Sequence, residues 1–469
     1  EGQEATQNFL NATQNYPLLK GVQTNLYKCF LPVAWRIGAG QGVSGFLHPE
    51  GIYDDPKGGV FRTEVYPRLR GHFQFVNVKK LFQEVLHWVT YSINIYGPIQ
   101  ATSRFVTMAN LYVPGTIERS LNHDGHGNSG GLKDDQGDWD TAGHKERVLE
   151  VDDDRLFVFS SLYDVSGTPL QQARLPALHT TQLLSVLEKF AQQPRRLGDL
   201  QGEYISLEMW HETNAQKDHT IRRETRFPAG AEEWILSGPH FFVGRPFFQT
   251  PRAACNTNRS YDTLDLTTLP DDYLPRTNYV PDCSAEEYAS RTPTVPWTDE
   301  QGKKRKVTEF YRFVCRAMLS QSGERTFVSV IVPPSVAHIH TVTSIVMSDY
   351  FQLVNLFAAA CSIPVDFFIK TTGKPFVSSS LLKLIPVLSS PDILLRGLIL
   401  SVLTKDFSKL WEDCWNEECC ESQWAKSDPR LSNHFFQNLT PNWNRDCALR
   451  TDYSRRQALV EIDVLAAMA

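Results

Sequence analysis

At 469 residues, 41% hydrophobic and 21% charged, the chain is too long for one core and reads as two or three globular domains. A mean hydropathy of −0.31, with no apolar run of roughly 18–20 residues, argues against a membrane-spanning helix. A net charge of −6 excludes a protein that coats nucleic acid indiscriminately, yet leaves room for one that reads DNA through a local basic surface. The opening EGQEATQNF has neither the basic nor the apolar region of a signal peptide. Nine scattered cysteines without a CxxC pair fit free thiols in a reducing cytoplasm.

Residues 1–118 read as alternating helix and strand. NLYKCFLPVAW (25–35) sets Leu26, Phe30, Leu31 and Ala34 on one helical face, and GVSGFLHP (42–49) is a short apolar run. FRTEVYPRLRGHF (61–73) is predicted helical up to a turn at Gly71, while FQFVNV (73–78) and TYSINIYG (90–97) alternate as strands do. This order predicts an α/β sheet domain. Residues 119–147, rich in Gly, Asp, His and Asn, read as a linker loop. His123, Asp124 and His126 within it are read as solvated side chains.

Residues 148–200 are expected to form a helical connector. VDDDRLFVFSSLY has an acidic helix start, and Leu183, Leu184, Leu187 and Phe190 form a stripe. From about Gly202 short strands and aromatic turns take over. TEFYRFVCRAML (308–319) is predicted as a helix, RTFVSVIVPP (325–334) as a buried strand, SDYFQLVNLFAAAC (348–361) as an apolar helix and LLKLIPVL (381–388) as a strand. Residues 391–469 form a helical C-terminal region. The chain does not begin with Met and stops at LVEIDVLAAMA inside a helical pattern, from which a portion of a longer protein is expected.

No complete catalytic signature stands out. There is no GxGxxG, Walker loop, HExxH or GxSxG, and PDDYLPRTNY (270–279) has two acids without the lysine a nuclease would need. Cys414, Cys419, Cys420 and His434 fit no common structural zinc spacing. Lys303–Lys306, Arg312, Arg316 and Arg325 against Glu309 and Glu324 give a local 7 − 2 = +5 over 303–325.

Taken in order, NLYKCFLPVAW, GVSGFLHPEG, a basic-aromatic helix around Tyr66–Arg70, KKLFQEV (79–85) and YSINIYG (91–97) resemble the second half of the catalytic domain of adenine-specific amino-methyltransferases. In that family a helix of this kind is followed by a strand ending at a Pro, a helix containing an Arg, and two strands. RTFVSVIVPPSVAHIHT, the helix ending in AAAC and DFFIKTTGKPFVSSSLLKLIPVL resemble the target-recognition end of large type IIG methylases. The segment between resembles the methylases of phage-defence systems such as DISARM.

The resemblance implies an α/β fold class: a partial doubly wound methyltransferase sheet over 1–118, then a mixed α+β target-recognition domain over 201–390. It implies site-specific adenine N6-methylation of double-stranded DNA with S-adenosylmethionine. The cofactor loop and the family's Asn-Pro-Pro-aromatic motif are both missing here and would lie upstream of Glu1. Tyr96 is the residue expected to stack on a flipped base, with Tyr91 second. DNA contacts are expected from Asn214, Gln216, Arg222, Arg223, Arg312, Arg316, Arg325, Lys370 and Lys374. The expected partners are DNA and the missing N-terminal part or other defence-system subunits. The competing readings are a non-catalytic DNA-specificity subunit and a protein-interaction module without DNA.

Overall fold

The computed structural model describes residues 2–23, 25–193, 195–257, 259–320 and 323–469. The chain divides into two compact units: residues 1–193 with 371–373, and residues 194–370 with 374–469. The division falls at 193–194, and residues 119–147 lie inside the first unit.

In the first unit, α1 (Gly2–Asn11), α2 (Leu26–Ile37), β1 (Ser44–Pro49), α3 (Gly51–Asp54), α4 (Gly59–Val65), β2 (Leu69–Val76), β3 (Thr90–Tyr96) and β4 (Arg104–Leu111) follow one another. They lead into α5 (Gly115–Leu121), β5 (Leu149–Asp152), α6 (Asp153–Tyr163) and α7 (Gln182–Ala191). The sheet order is β1-β3-β2-β4-β5. β1 with β3, β3 with β2 and β4 with β5 are antiparallel, and only β2 with β4 is parallel. The sheet is therefore mixed and mainly antiparallel, which bears out an α/β unit but not the partial doubly wound methyltransferase sheet expected.

The helix predicted over 61–73 stops at Val65, and β2 begins at Leu69. Pro67 explains the early stop, because it has no N–H to continue the helical ladder. The predicted linker is an excursion inside this unit. Thr116 Oγ1 and Arg119 donate to the Thr141 carbonyl at 2.7 Å each, and buried Arg147 donates to the carbonyls of Ala109 and Asn110 at 3.0 Å. The chain then returns to the same sheet as β5.

The second unit carries β6 (Tyr204–Leu207), α8 (Glu212–Lys217), β7 (Ile221–Arg226), β8 (Ile235–Leu236), β9 (Gln249–Pro251), β10 (Tyr261–Thr263), β11 (Thr277–Pro281), α9 (Ala285–Arg291), β12 (Arg312–Arg316) and β13 (Ser329–Val332). It continues with β14 (Ala337–His338), β15 (Val342–Met347), α10 (Tyr350–Ala360), α11 (Ile363–Thr371), α12 (Ser379–Leu382), α13 (Pro391–Ser401), α14 (Ser408–Cys414) and α15 (Asp452–Met468). An antiparallel sheet β13-β12-β15-β6 is covered by α10, against which α13 and α15 pack. No single helix among the described residues is long and apolar enough to cross a membrane.

Two expectations fail here. TEFYRFVCRAML forms the central strand β12, because pairing on both edges with β13 and β15 overrides its helical pattern. LLKLIPVL is no strand: Ser378 caps a helical turn by accepting from Leu381 N at 3.2 Å, and Pro386 retains only an isolated bridge to Arg196. The apolar helix 348–361 forms as α10, with Asp349 accepting from Phe351 N at 2.7 Å as its N-cap.

Gly397 sets the spacing of α13 on α10. A Cβ there would lie 2.8 Å from the Ala358 Cβ and 3.4 Å from Val354 Cγ1. Gly397→Leu should therefore lower the urea unfolding free energy by about 1–3 kcal/mol, and Ala358→Gly in the same chain should recover part of the loss. Equal stability of G397L and the parent would show that the two helices are not held at this distance.

Candidate nucleic-acid interface

The sheet of the first unit has one polar and one apolar face, and the polar one is buried. His72 and Gln74 of β2, Ser92, Asn94 and Tyr96 of β3, and Thr107 of β4 alternate with Phe73, Phe75, Tyr91 and Ile93. Ser92, Asn94, His72 and Tyr96 are all at most 2% exposed. α2 and α3 cover them: Tyr27 stacks on His48 at 5.3 Å, Trp35 meets Tyr96 edge-on at 5.6 Å, and Tyr53 lies 4.4 Å from His72.

The buried groups form a directed hydrogen-bond chain. Tyr53 donates to Asn94 Oδ1 at 2.5 Å, and Asn94 donates to Ser92 Oγ at 2.9 Å. Ser92, His72 (3.2 Å) and Gln74 (3.0 Å) all donate to the Glu50 carboxylate. Burial acts to raise the Glu50 carboxyl, but His72 and these donors outweigh it and hold it below the ordinary glutamate range. Burial also lowers the His48 imidazole, which keeps it neutral. Its Nδ1 then donates to the Pro49 carbonyl at 2.9 Å, and Nε2 accepts from the Tyr96 hydroxyl at 3.1 Å. All members but the half-buried Gln74 are closed off from solvent, so the network anchors helices and offers no reagent to a substrate.

This placement corrects the expectation for Tyr96. Its ring is enclosed by Trp35 and Phe46, and burial pushes its hydroxyl well above the usual tyrosine range. It packs within the sheet and presents no open face to a base. Tyr91 is buried as well, stacked on Phe75 at 5.6 Å.

An exposed aromatic surface lies one loop away, between β2 and β3. Leu81, Phe82, Leu86 and Trp88 are 44%, 40%, 55% and 46% exposed, and Lys79 and Lys80 stand exposed at the loop's start. The loop is built around fully buried Asn77. Its Nδ2 donates to the Phe82 and Val85 carbonyls at 2.8 Å each, and its Oδ1 accepts from Phe82 N at 3.1 Å. Lys80 takes a left-handed turn at φ 54° and donates to the Val85 carbonyl at 3.1 Å. Phe82 meets Tyr91 edge-on at 5.0 Å, which ties the tip to the sheet. The loop thus holds four exposed apolar side chains beside two lysines. The apolar residues of KKLFQEVLHWV recur at 81, 82, 85, 86 and 89, a helical spacing, yet the segment folds as a loop that leaves Leu81, Phe82 and Leu86 exposed.

Most of the basic residues expected to touch DNA are engaged elsewhere. Arg312, on the central strand, is 0% exposed and donates to the Val336 carbonyl and, at 3.3 Å, to Met209 Sδ. Arg316 donates to the carbonyls of Gly238 (2.9 Å) and Phe241. Arg325 is largely buried and faces Asp463 at 3.7 Å. Lys370 is half-buried, which lowers its ammonium against the opposing pull of Asp366; Lys374 is half-buried too. Burial and these partners take Arg312, Arg316, Arg325 and Lys370 out of a phosphate-binding surface. Asn214, Arg222 and Arg223 are exposed on α8 and β7. Arg222 pairs with Glu224 at 2.7 Å and Asp282 at 3.3 Å, Arg223 donates to the Cys255 carbonyl at 2.9 Å, and Gln216 donates to the Glu212 carbonyl at 3.2 Å. No cluster of three or more His, Cys, Asp or Glu suited to a metal occurs among the described residues.

No protein-family model and no curated protein matches the chain. Among solved structures it is similar to the type IIG restriction endonuclease BpuSI, at 11% identity and a TM-score of 0.27, over 99% of this chain and 52% of that one. The chain spans about half the length of that structure.

The buried network makes the first unit acid-sensitive. The folded-state values of His48 and Glu50 both lie below their ordinary ones, so their stabilisation is complete above about pH 6.5 and is lost as pH falls, first through the histidine and then the glutamate range. Thermal unfolding followed from pH 8 to 4 should show a falling midpoint, and His48→Gln should remove the upper part of that fall. Glu50→Leu, which leaves His72 and Gln74 without their acceptor, should cost about 3–5 kcal/mol at neutral pH. A pH-independent midpoint would mean that the network carries no charge.

Proposed function

We propose that this chain is a portion of a site-specific DNA adenine N6-methyltransferase of the restriction–modification or phage-defence kind, and that the loop 79–88 is part of its DNA contact. The carrying observation is that loop: aromatic and aliphatic side chains held outward beside two lysines, the pairing that binds bases by stacking and phosphates by charge. The order of elements supports the same reading. Helix α2, strand β1 ending at Pro49, helix α4 carrying Arg62, and strands β2 and β3 follow in the order of the family that the sequence resembles.

S-adenosylmethionine is the methyl donor this reading requires, and the residues present do not fit it. The strand-to-helix turns at Glu50–Gly51, Tyr112–Gly115 and Asp152–Asp153 carry at most one glycine each, so none leaves the open backbone cradle a nucleotide cofactor takes. Methyl transfer is accordingly assigned to residues outside this chain. In the second unit Asn214, Arg222 and Arg223 remain the exposed side chains suited to base edges and phosphates.

Gel shifts of the 469-residue chain with duplex DNA across salt concentrations test the DNA contact. Lys79→Ala with Lys80→Ala should reduce the slope of log affinity against log salt by about 1.8, roughly 0.9 for each phosphate contact. Phe82→Ala and Trp88→Ala should each weaken binding to a duplex with an extrahelical adenine by about 1–3 kcal/mol. Absence of binding at low salt would defeat the DNA reading altogether. Transfer of a labelled methyl group from S-adenosylmethionine by the chain alone would overturn the assignment of that chemistry elsewhere.

A further inference from the structure

The second unit holds a cavity of about 460 Å³ that the DNA reading does not use. It lies between α13, residues 421–425 and α15, and its lining includes Asp392, Arg396, Glu421, Val460, Glu461 and Val464. Its floor is a buried ion pair with its bonding satisfied. Arg396 Nε donates to Glu461 Oε2 at 3.0 Å, and its other nitrogens donate to Asp392 (3.0 Å), Ser422 Oγ (2.6 Å) and the Gln423 carbonyl (2.8 Å). Glu461 Oε1 accepts from Ala425 N at 3.0 Å and Gln457 Nε2 at 2.9 Å.

With the floor neutral, the charge the cavity shows outward is that of its rim. Asp392 is 57% exposed and gives only Oδ1 to Arg396, and the Glu421 side chain has no hydrogen bond or ion pair among the described residues. One wall is aliphatic: Val460 and Val464, four residues apart on α15, are each 54% exposed. Rim carboxylates above an aliphatic wall complement a long cationic side chain, whose methylenes lie on the valines while its head meets the acids. The same carboxylates repel a phosphate backbone.

We propose that this cavity is a docking site for an arginine side chain of a partner polypeptide. The proposal is independent of the DNA reading, since it uses a different surface and the opposite charge. Anisotropy of a fluorescein-labelled Gly-Leu-Arg-Leu-Arg-Gly peptide, titrated with the full chain, tests it. The expected result is saturable binding that weakens at least tenfold when citrulline replaces arginine and when the chain carries Glu421→Gln, and that weakens measurably when it carries Val460→Ser, which removes aliphatic wall without adding charge. Because the Glu421 side chain has no hydrogen bond or ion pair among the described residues, E421Q leaves stability intact, and an unchanged unfolding midpoint confirms this. Equal affinity for the citrulline peptide, an unaffected E421Q chain, or no binding up to millimolar chain would each overturn the proposal. Self-association of the chain that V460S weakens would assign the cavity to a second copy and overturn it as well.

Discussion

Glu50 takes a carboxylate into the buried side of the sheet, at the point where β1 turns into α3. A charge so placed is tolerated only if donors surround it, and His72, Gln74 and Ser92 arrive from the two central strands to do so. That requirement fixes the register of β2 and β3, because a slip of one residue would turn Phe73, Phe75 and Ile93 toward the carboxylate. It also decides which face of the sheet the helices cover. Tyr53, His48 and Tyr27 follow from it, each closing one more polar group under α2 and α3.

The same constraint governs the buried guanidinium groups, with carbonyls in place of a carboxylate. Arg62 donates to the carbonyls of Gln172, Ile52 and Asp55, Arg147 to those of Ala109 and Asn110, and Arg455 to those of Leu449, Gly244 and Leu400. Each joins segments far apart in sequence, as a planar fork of five donors can and an ammonium cannot. The desolvation is considerable: burial pushes the Arg312 and Arg455 guanidinium groups down to about 10 and about 9. Arginines used in this way are lost to DNA, which shrinks the basic surface well below what the count of 47 Lys and Arg promises.

What remains exposed is sorted by charge. The loop after β2 combines lysines with aromatics, whereas the cavity beside α15 combines acids with valines. A net charge of −6 is an average over surfaces of opposite character and describes neither. The order within the loop comes from Asn77, which satisfies the carbonyls of Phe82 and Val85, together with the Lys80 bond to Val85 and the packing of Phe82 on Tyr91.

The sequence by itself determined the elements whose signal is local. SDYFQLVNLFAAAC carries its own cap and an unbroken apolar run, and TYSINIYG and RTFVSVIVPP have the branched and aromatic residues that strands favour. It also determined that a helix and a Pro-ended strand precede two further strands in the first unit, although the basic-aromatic helix placed at Tyr66–Arg70 is a turn running into β2. Tertiary structure alone decided everything that depends on a distant partner. It made YRFVCR a central strand because two strands flank it, and it returned residues 119–147 to their own sheet. It buried Ser92, Asn94 and Tyr96, which alternate along β3 as a solvent face would, because their hydrogen-bond partners stand up to 48 residues away. Periodicity records which residues share a face, but the direction that face points is set by whatever packs against it.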